Sequence, residues 1–104
     1  MRSASVYFKD TLAGKLLDLE DRFEFIYDKE YLKEGFPISV SLPLQEEPFF
    51  SNSLFPFFDG LIVEGWLLKE AEKNWKIDQN DRFGLLMLVG DDCIGAVSVK
   101  EDRQ

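Results

Sequence analysis

Apolar and polar residues alternate in short runs over the first forty positions and then give way to longer apolar clusters. Residues 4–9 (Ala-Ser-Val-Tyr-Phe-Lys) are rich in β-branched and aromatic types and predict a strand. Residues 10–14 predict a turn with Gly14 at its end. Residues 15–20 alternate through Leu17, Asp18, Leu19 and Glu20 and predict the returning arm of a hairpin. Phe23, Phe25 and Tyr27 then share one face of a third strand, with Glu24 and Ile26 on the other. Asp28 is placed to cap a single helical turn over 28–33.

Pro37 resets the pattern, and Ile38, Val40 and Leu42 alternate with Ser39 and Ser41 as a further short strand that Pro43 stops. Residues 44–52 predict a loop. Ser53 predicts the cap of a short helix through Phe58, because Pro56 falls in the first turn, where its missing N–H costs little. Gly60 ends or kinks that piece, and a second helix is expected over 64–76. Asp78 or Asn80 would cap a third, over 81–89, closed by Gly90 and apolar on most sides. Asp91 and Asp92 make a turn, and residues 94–100 form a last strand able to join the first sheet. Strands first, helices next and a strand last predict an α+β fold, a small antiparallel sheet with about three short helices packed on one side. The expected core is Tyr7, Phe25, Val40, Leu42, Phe58, Leu68, Ala71, Leu86, Val89 and Val97.

The stretch 53–71 is the most apolar and aromatic part of the chain, yet it is too short and too interrupted to span a membrane. It is therefore either a central core helix or a surface built to be covered. At 104 residues the chain is expected to form one domain, with an apolar fraction of 45% that argues against disorder. No signal peptide is recognisable.

Twelve basic against twenty acidic residues give a net charge of −8, which repels phosphate backbones, argues against unaided nucleic-acid binding and suits solubility or a basic protein partner. Cys93 is the only cysteine, so an intramolecular disulfide is excluded and a reducing cytoplasm is the expected home. Histidine is absent, which removes the commonest general base and a common metal ligand.

Catalytic constellations fare no better. Asp91 and Asp92 lack the further oxygen ligands a metal needs. The run from Asp81 to Gly84 resembles a kinase Asp-Phe-Gly only until the inserted Arg82 breaks the spacing. Gly65, Gly84, Gly90 and Gly95 are too far apart for a phosphate loop. Cys93 has no histidine to activate it. Neither a catalytic residue, nor a metal site, nor a cofactor is expected.

Three stretches in series carry a resemblance. They are Phe36-Pro-Ile-Ser-Val-Ser-Leu-Pro-Leu44, Phe57-Phe-Asp-Gly-Leu-Ile-Val-Glu-Gly-Trp66, and Phe83-Gly-Leu-Leu-Met-Leu-Val-Gly-Asp-Asp-Cys-Ile-Gly-Ala-Val-Ser-Val99. In this order they resemble the N-terminal subdomain of the HipA-type serine/threonine kinases, the toxins of bacterial toxin–antitoxin pairs, over nearly the whole chain. The family's frequent Leu-Leu-Pro is Leu61-Ile62-Val63 here, which makes the link into the second helix more continuous. The kinase body with its ATP-binding and catalytic residues does not follow. A free-standing copy of this subdomain is similar to the HipS antitoxins of three-gene HipBST-like systems. That resemblance implies a HipT-like kinase as partner, and a HipB-like DNA-binding protein reached through the complex. A structural subunit completing a kinase, or a fragment of a longer kinase, remain the other readings.

The partner-binding residues expected are Trp66, Asp59, Glu64, Gly65, Lys69 and Lys73. On a helix over 64–76, Leu67, Leu68, Ala71 and Trp75 fall on one side and Trp66 points nearly the opposite way, among Lys69, Glu70 and Lys73. A tryptophan exposed at a helix start is a hot-spot residue type. The competing expectation is that Gly65 breaks the helix and Trp66 folds back into the core.

Overall fold

The computed structural model describes residues 2–69, 81–90 and 96–102, with the side chains of the long helix as far as Ile62. Strands β1 (Arg2–Phe8), β2 (Thr11–Asp18) and β3 (Phe23–Tyr27) form an antiparallel meander. β4 (Phe49–Ser51) adds to β3, and β5 (Val97–Glu101) adds to β1, both antiparallel. The resulting order is β4-β3-β2-β1-β5. Helices α1 (Lys29–Glu34), α2 (Pro56–Lys69) and α3 (Arg82–Val89) complete the α+β fold that the pattern predicts.

The sheet has one wet and one dry face, as its pleat dictates. Register places Ala4, Leu16 and Phe25 in one row and Val99, Val6, Gly14 and Tyr27 in the next. The side chains of these rows are buried, and Phe58 of α2 and Phe83 and Leu86 of α3 close over them, all at 0% exposure. Aromatic rings tie the layers together: Phe25 meets Tyr27 edge-on at 4.9 Å and Phe58 at 5.7 Å. On the wet face, Ser3 and Ser5 donate to the Asp102 carboxylate at 3.0 and 2.6 Å, and the Lys15 ammonium reaches it at 3.1 Å. Burial raises the Asp102 pKa, but the hydrogen bonds from Ser5, Lys15 and Ser3 together outweigh it, so the carboxyl sits below its usual range.

Several expectations are corrected. Gly14 does not end the turn; it lies inside β2, opposite Tyr27, where an added Cβ would run into the backbone carbonyl of Ile26. The turn is Lys9-Asp10, both at positive φ, as a two-residue hairpin requires. Tyr7 is half-buried on the wet face, under the Lys100 ammonium at 5.7 Å, because register puts it out of phase with Val6.

The expected strand through Ile38, Val40 and Leu42 is a tight turn instead. Leu42 N–H donates to Ser39 C=O at 3.0 Å, so Ile38 and Leu42 turn inward while Val40 at the tip is 100% exposed. Within the expected loop 44–52, Phe49–Ser51 pairs with β3, a strand too short for alternation to reveal. Finally, α2 is one helix: Gly60 neither ends nor breaks it, and Phe55 rather than Ser53 accepts the first backbone N–H bonds, from Phe58 and Asp59.

Phe25, Leu42, Phe58, Leu86 and Val97 are buried as expected, and Asp28 caps α1, accepting from the N–H groups of Glu30 and Tyr31. The cap of α3 is Asp81, not Asp78 or Asn80. Leu88 is 37% exposed, so α3 is not buried all round. The side chains of Leu68 and Val89, and all of Ala71, lie outside the described residues.

Candidate functional site

α2 and α3 lie side by side over the dry face, and two arginines fix how they sit. Arg82, the first residue of α3, donates through Nε to the Asp59 carboxylate in the first turn of α2 at 2.9 Å. Asp81 caps α3, accepting from Gly84 N–H at 3.1 Å, and also accepts both ends of the Arg2 guanidinium at 2.8 and 3.0 Å. The same guanidinium bonds Asp18 at 2.6 Å and lies 4.9 Å over the Phe83 ring. Arg2 therefore clamps the start of α3 to β1 and β2, a planar fork shared between two carboxylates and a ring face. Its hydrogen bonds lower the Asp81 pKa from its ordinary value, with burial opposing and the Gly84 N–H assisting. Asp81 resembles a kinase metal ligand in sequence only; here it is a helix cap and ion-pair partner.

Among the expected partner-binding residues, Asp59, Glu64, Gly65, Trp66 and Lys69 all fall on the single helix α2, while Lys73 lies outside the described residues. Asp59, half exposed, already meets the basic Arg82 of its own chain. Because α2 is unbroken, its register follows from the buried residues Phe58, Leu61 and Ile62. Seven residues at about 100° each bring the Trp66 backbone position to within roughly 20° of Asp59, and four bring it about 40° from Ile62. Trp66 thus occupies the flank of α2, at the margin of the buried face and on the side of the Asp59–Arg82 pair. Residues 64–69 of the expected separate helix belong to α2, and residues 70–76 lie outside the described residues.

Arg2 and Arg82, which organise this face, were invisible to pattern reasoning. Their one sequence signal is the Asp81-Arg82 dipeptide opening a helix, where the acidic residue caps and the basic one turns outward.

A groove of about 540 Å³ opens between the Lys9-Asp10 turn and α1, with Phe8, Leu12, Tyr31 and Phe36 among its apolar lining and Lys9, Asp28 and Glu30 along its rim. Among the described residues, no cluster of three His, Cys, Asp or Glu side chains is arranged to hold a metal, and no helix is long and apolar enough to cross a membrane.

Known proteins of related sequence and similar shape share this fold. A Haemophilus influenzae protein of unassigned function is 36% identical over 104 residues, covering all of this chain and 96% of its own length. The Sinorhizobium fredii protein named as a candidate kinase, Y4mE, is 27% identical over 107 residues, and the chain spans 26% of its length. The solved N-terminal domain of HipA toxin superposes with a TM-score of 0.77 at 32% identity, covering 100% of this chain and 95% of that one. The Shewanella oneidensis HipA, solved with HipB and operator DNA, shares the fold at a TM-score of 0.61 and 20% identity, with 93% of this chain on 23% of that one. The HipA N-terminal domain profile matches residues 4–100, and the chain belongs to that family.

Proposed function

We propose that this chain is a non-enzymatic antitoxin that binds and restrains a HipT-like serine/threonine kinase in a three-component toxin–antitoxin system. The observation that carries the reading is the extent of the family match. It runs from β1 to β5, and the match to the Haemophilus influenzae relative covers 96% of that protein, which therefore consists of little besides this domain. The N-terminal domain is not the part of a HipA-type kinase that carries phosphoryl transfer. What it offers a kinase is surface.

Trp66 is the proposed anchor of that surface, inserted into a pocket of the kinase, with Asp59, Glu64, Gly65, Lys69 and Lys73 around it. An indole on a helix flank buries a large area against a partner for little ordering cost, and its truncation removes roughly 2 kcal/mol or more of affinity at a hot spot. The HipB-like DNA-binding member joins through the kinase, because the net charge of −8 keeps this chain off DNA by itself. The complex works in a reducing cytoplasm.

Co-expression with the kinase gene adjacent to its own tests the reading. The kinase alone arrests growth, and this chain relieves the arrest. If the chain instead raises kinase activity, it is a structural subunit and not an antitoxin. Trp66→Ala leaves the melting temperature nearly unchanged and weakens both binding and rescue. Unfolding of that variant would place Trp66 in the core, and normal rescue would move the interface elsewhere. The purified chain shows no saturable binding of Mg-ATP in titration calorimetry.

A further inference from the structure

The loop after α1 holds two apolar side chains outward on a backbone that the core pins at both feet. Tyr31 Oη accepts from Phe36 N–H at 3.2 Å and donates to Phe36 C=O at 2.5 Å. Tyr27 Oη accepts from Ile38 N–H at 3.1 Å and donates to Leu42 C=O. The two rings stack 6.0 Å apart with planes 2° from parallel. Between the feet, Leu42 N–H closes the turn onto Ser39 C=O, Ser41 N–H reaches Ser39 Oγ at 3.3 Å, and the Ser39 and Ser41 hydroxyls meet at 3.0 Å. Pro37 and Pro43 restrict the backbone on either side. Ile38 and Leu42 fill the core, whereas Phe36 is 69% and Val40 100% exposed. The conformational entropy of this loop is therefore already lost on folding, which is what preorganised contact loops require.

The segment that follows the loop is acidic: Glu46 and Glu47 come a few residues on, both exposed, while on the groove side Glu30 is paired with Lys33 at 3.4 Å and Lys9 shares the lining with Phe36. With the chain at −8, a second copy of itself or an anionic lipid surface would bring like charge to the same place. A basic surface would not.

We propose that residues 36–42 form a preformed knob, received by an apolar socket rimmed with lysine and arginine on the kinase partner, at a contact separate from Trp66. The identity of the partner rests on the function proposed above; the knob itself rests on the loop. Phe36 and Val40 enter the socket, and the small Ser39 and Ser41 between them let it close.

The test measures binding of the full chain to the purified HipT-like kinase for wild type, Phe36→Ser/Val40→Ser, Trp66→Ala, and Glu46→Lys/Glu47→Lys. The double serine variant keeps the wild-type circular dichroism and melting temperature, since both side chains are outside the core, and binds about tenfold more weakly or worse. The double lysine variant binds more weakly and with a shallower dependence on salt. If the serine variant binds like wild type while Trp66→Ala is weakened, the knob is not in the interface and the proposal falls alone. If wild type does not bind the kinase, the functional reading falls and takes the knob's partner with it. If light scattering shows a wild-type dimer that the serine variant dissociates, the occupant is a second copy and the proposal is overturned.

Discussion

Replacing Tyr27 by Phe removes one oxygen atom and should cost more than its size suggests. The ring stays packed against Phe25, Tyr31 and Phe49, so no cavity forms beyond the hydroxyl itself. What is lost is the partner of two backbone groups, the N–H of Ile38 and the C=O of Leu42, both in residues under 10% exposed. Burial holds the Tyr27 hydroxyl so firmly protonated that its pKa is pushed up, despite the Ile38 N–H favouring the ionised form. Water does not readily replace it. An unsatisfied buried polar group costs about 1–3 kcal/mol, so the pair gives roughly 2–6 kcal/mol, from a domain stability on the order of 5–15 kcal/mol.

Tyr31→Phe provides the contrast. Its hydroxyl also serves two backbone groups, but both belong to Phe36, which is mostly exposed, and water takes over there. That variant should lose less than about 1 kcal/mol. Urea unfolding measures both. With an m-value of about 1–3 kcal/mol per molar, Tyr27→Phe lowers the midpoint by roughly 1 M or more without changing the slope. Equal losses in the two variants would refute the assignment of the cost to buried backbone groups.

Leu86→Ala, at a fully buried position of α3, should destabilise by roughly 2–5 kcal/mol in the same assay. Gly35→Ala should destabilise although the Gly35 backbone is extended, because its Cβ would stand 2.5 Å from the Tyr31 ring; the knob's near foot then loosens, read as faster amide exchange at Phe36. Stability should fall in acid: the depressed carboxyls of Asp81 and Asp102 stabilise the fold above the ordinary value of about 4, and that contribution is lost as pH drops through it toward their lower folded values. Arg2→Ala should flatten the Asp81 part of this loss, and parallel pH curves for variant and wild type would exclude the Arg2–Asp81 pair as its source.

In β3 and β5 the simple period of the sequence carries through to the structure. Phe23, Phe25 and Tyr27 alternate as drawn, Asp28 caps as drawn, and β5 (Val97–Glu101), within the stretch where a last strand is expected, joins β1 through Val97 and Val99. The misses share one cause: local pattern cannot see a partner that arrives from far along the chain. Ile38, Val40 and Leu42 read as a strand because a tight turn also throws every second residue to one side. What decides against the strand is a tyrosine hydroxyl eleven and fifteen residues back. Gly60 and Gly65 carry a propensity cost of about 1 kcal/mol each, yet burial of Phe58, Leu61 and Ile62 carries the helix through Gly60 and on past Gly65. The candidate site was half legible. α2 could be named as its platform, but the Asp59–Arg82 pair and the Arg2 clamp join residues 23 and 79 apart, and no spacing rule reaches that far.

The pairing of the first strand with the last bears on synthesis. On the ribosome, β1, β2 and β3 can zip together as soon as they emerge, since each pairs with its sequence neighbour. The other side of β1 waits for Val97–Glu101, made about ninety residues after Phe8, which at roughly 5–20 residues per second is a delay of several seconds to nearly twenty. During that interval the nascent chain carries a bare row of strand N–H and C=O groups beside Ala4, Val6 and Phe8, a template for any neighbouring strand. Slowed translation of the last thirty codons should therefore increase aggregation of this chain, whereas the same slowing within the first thirty should not.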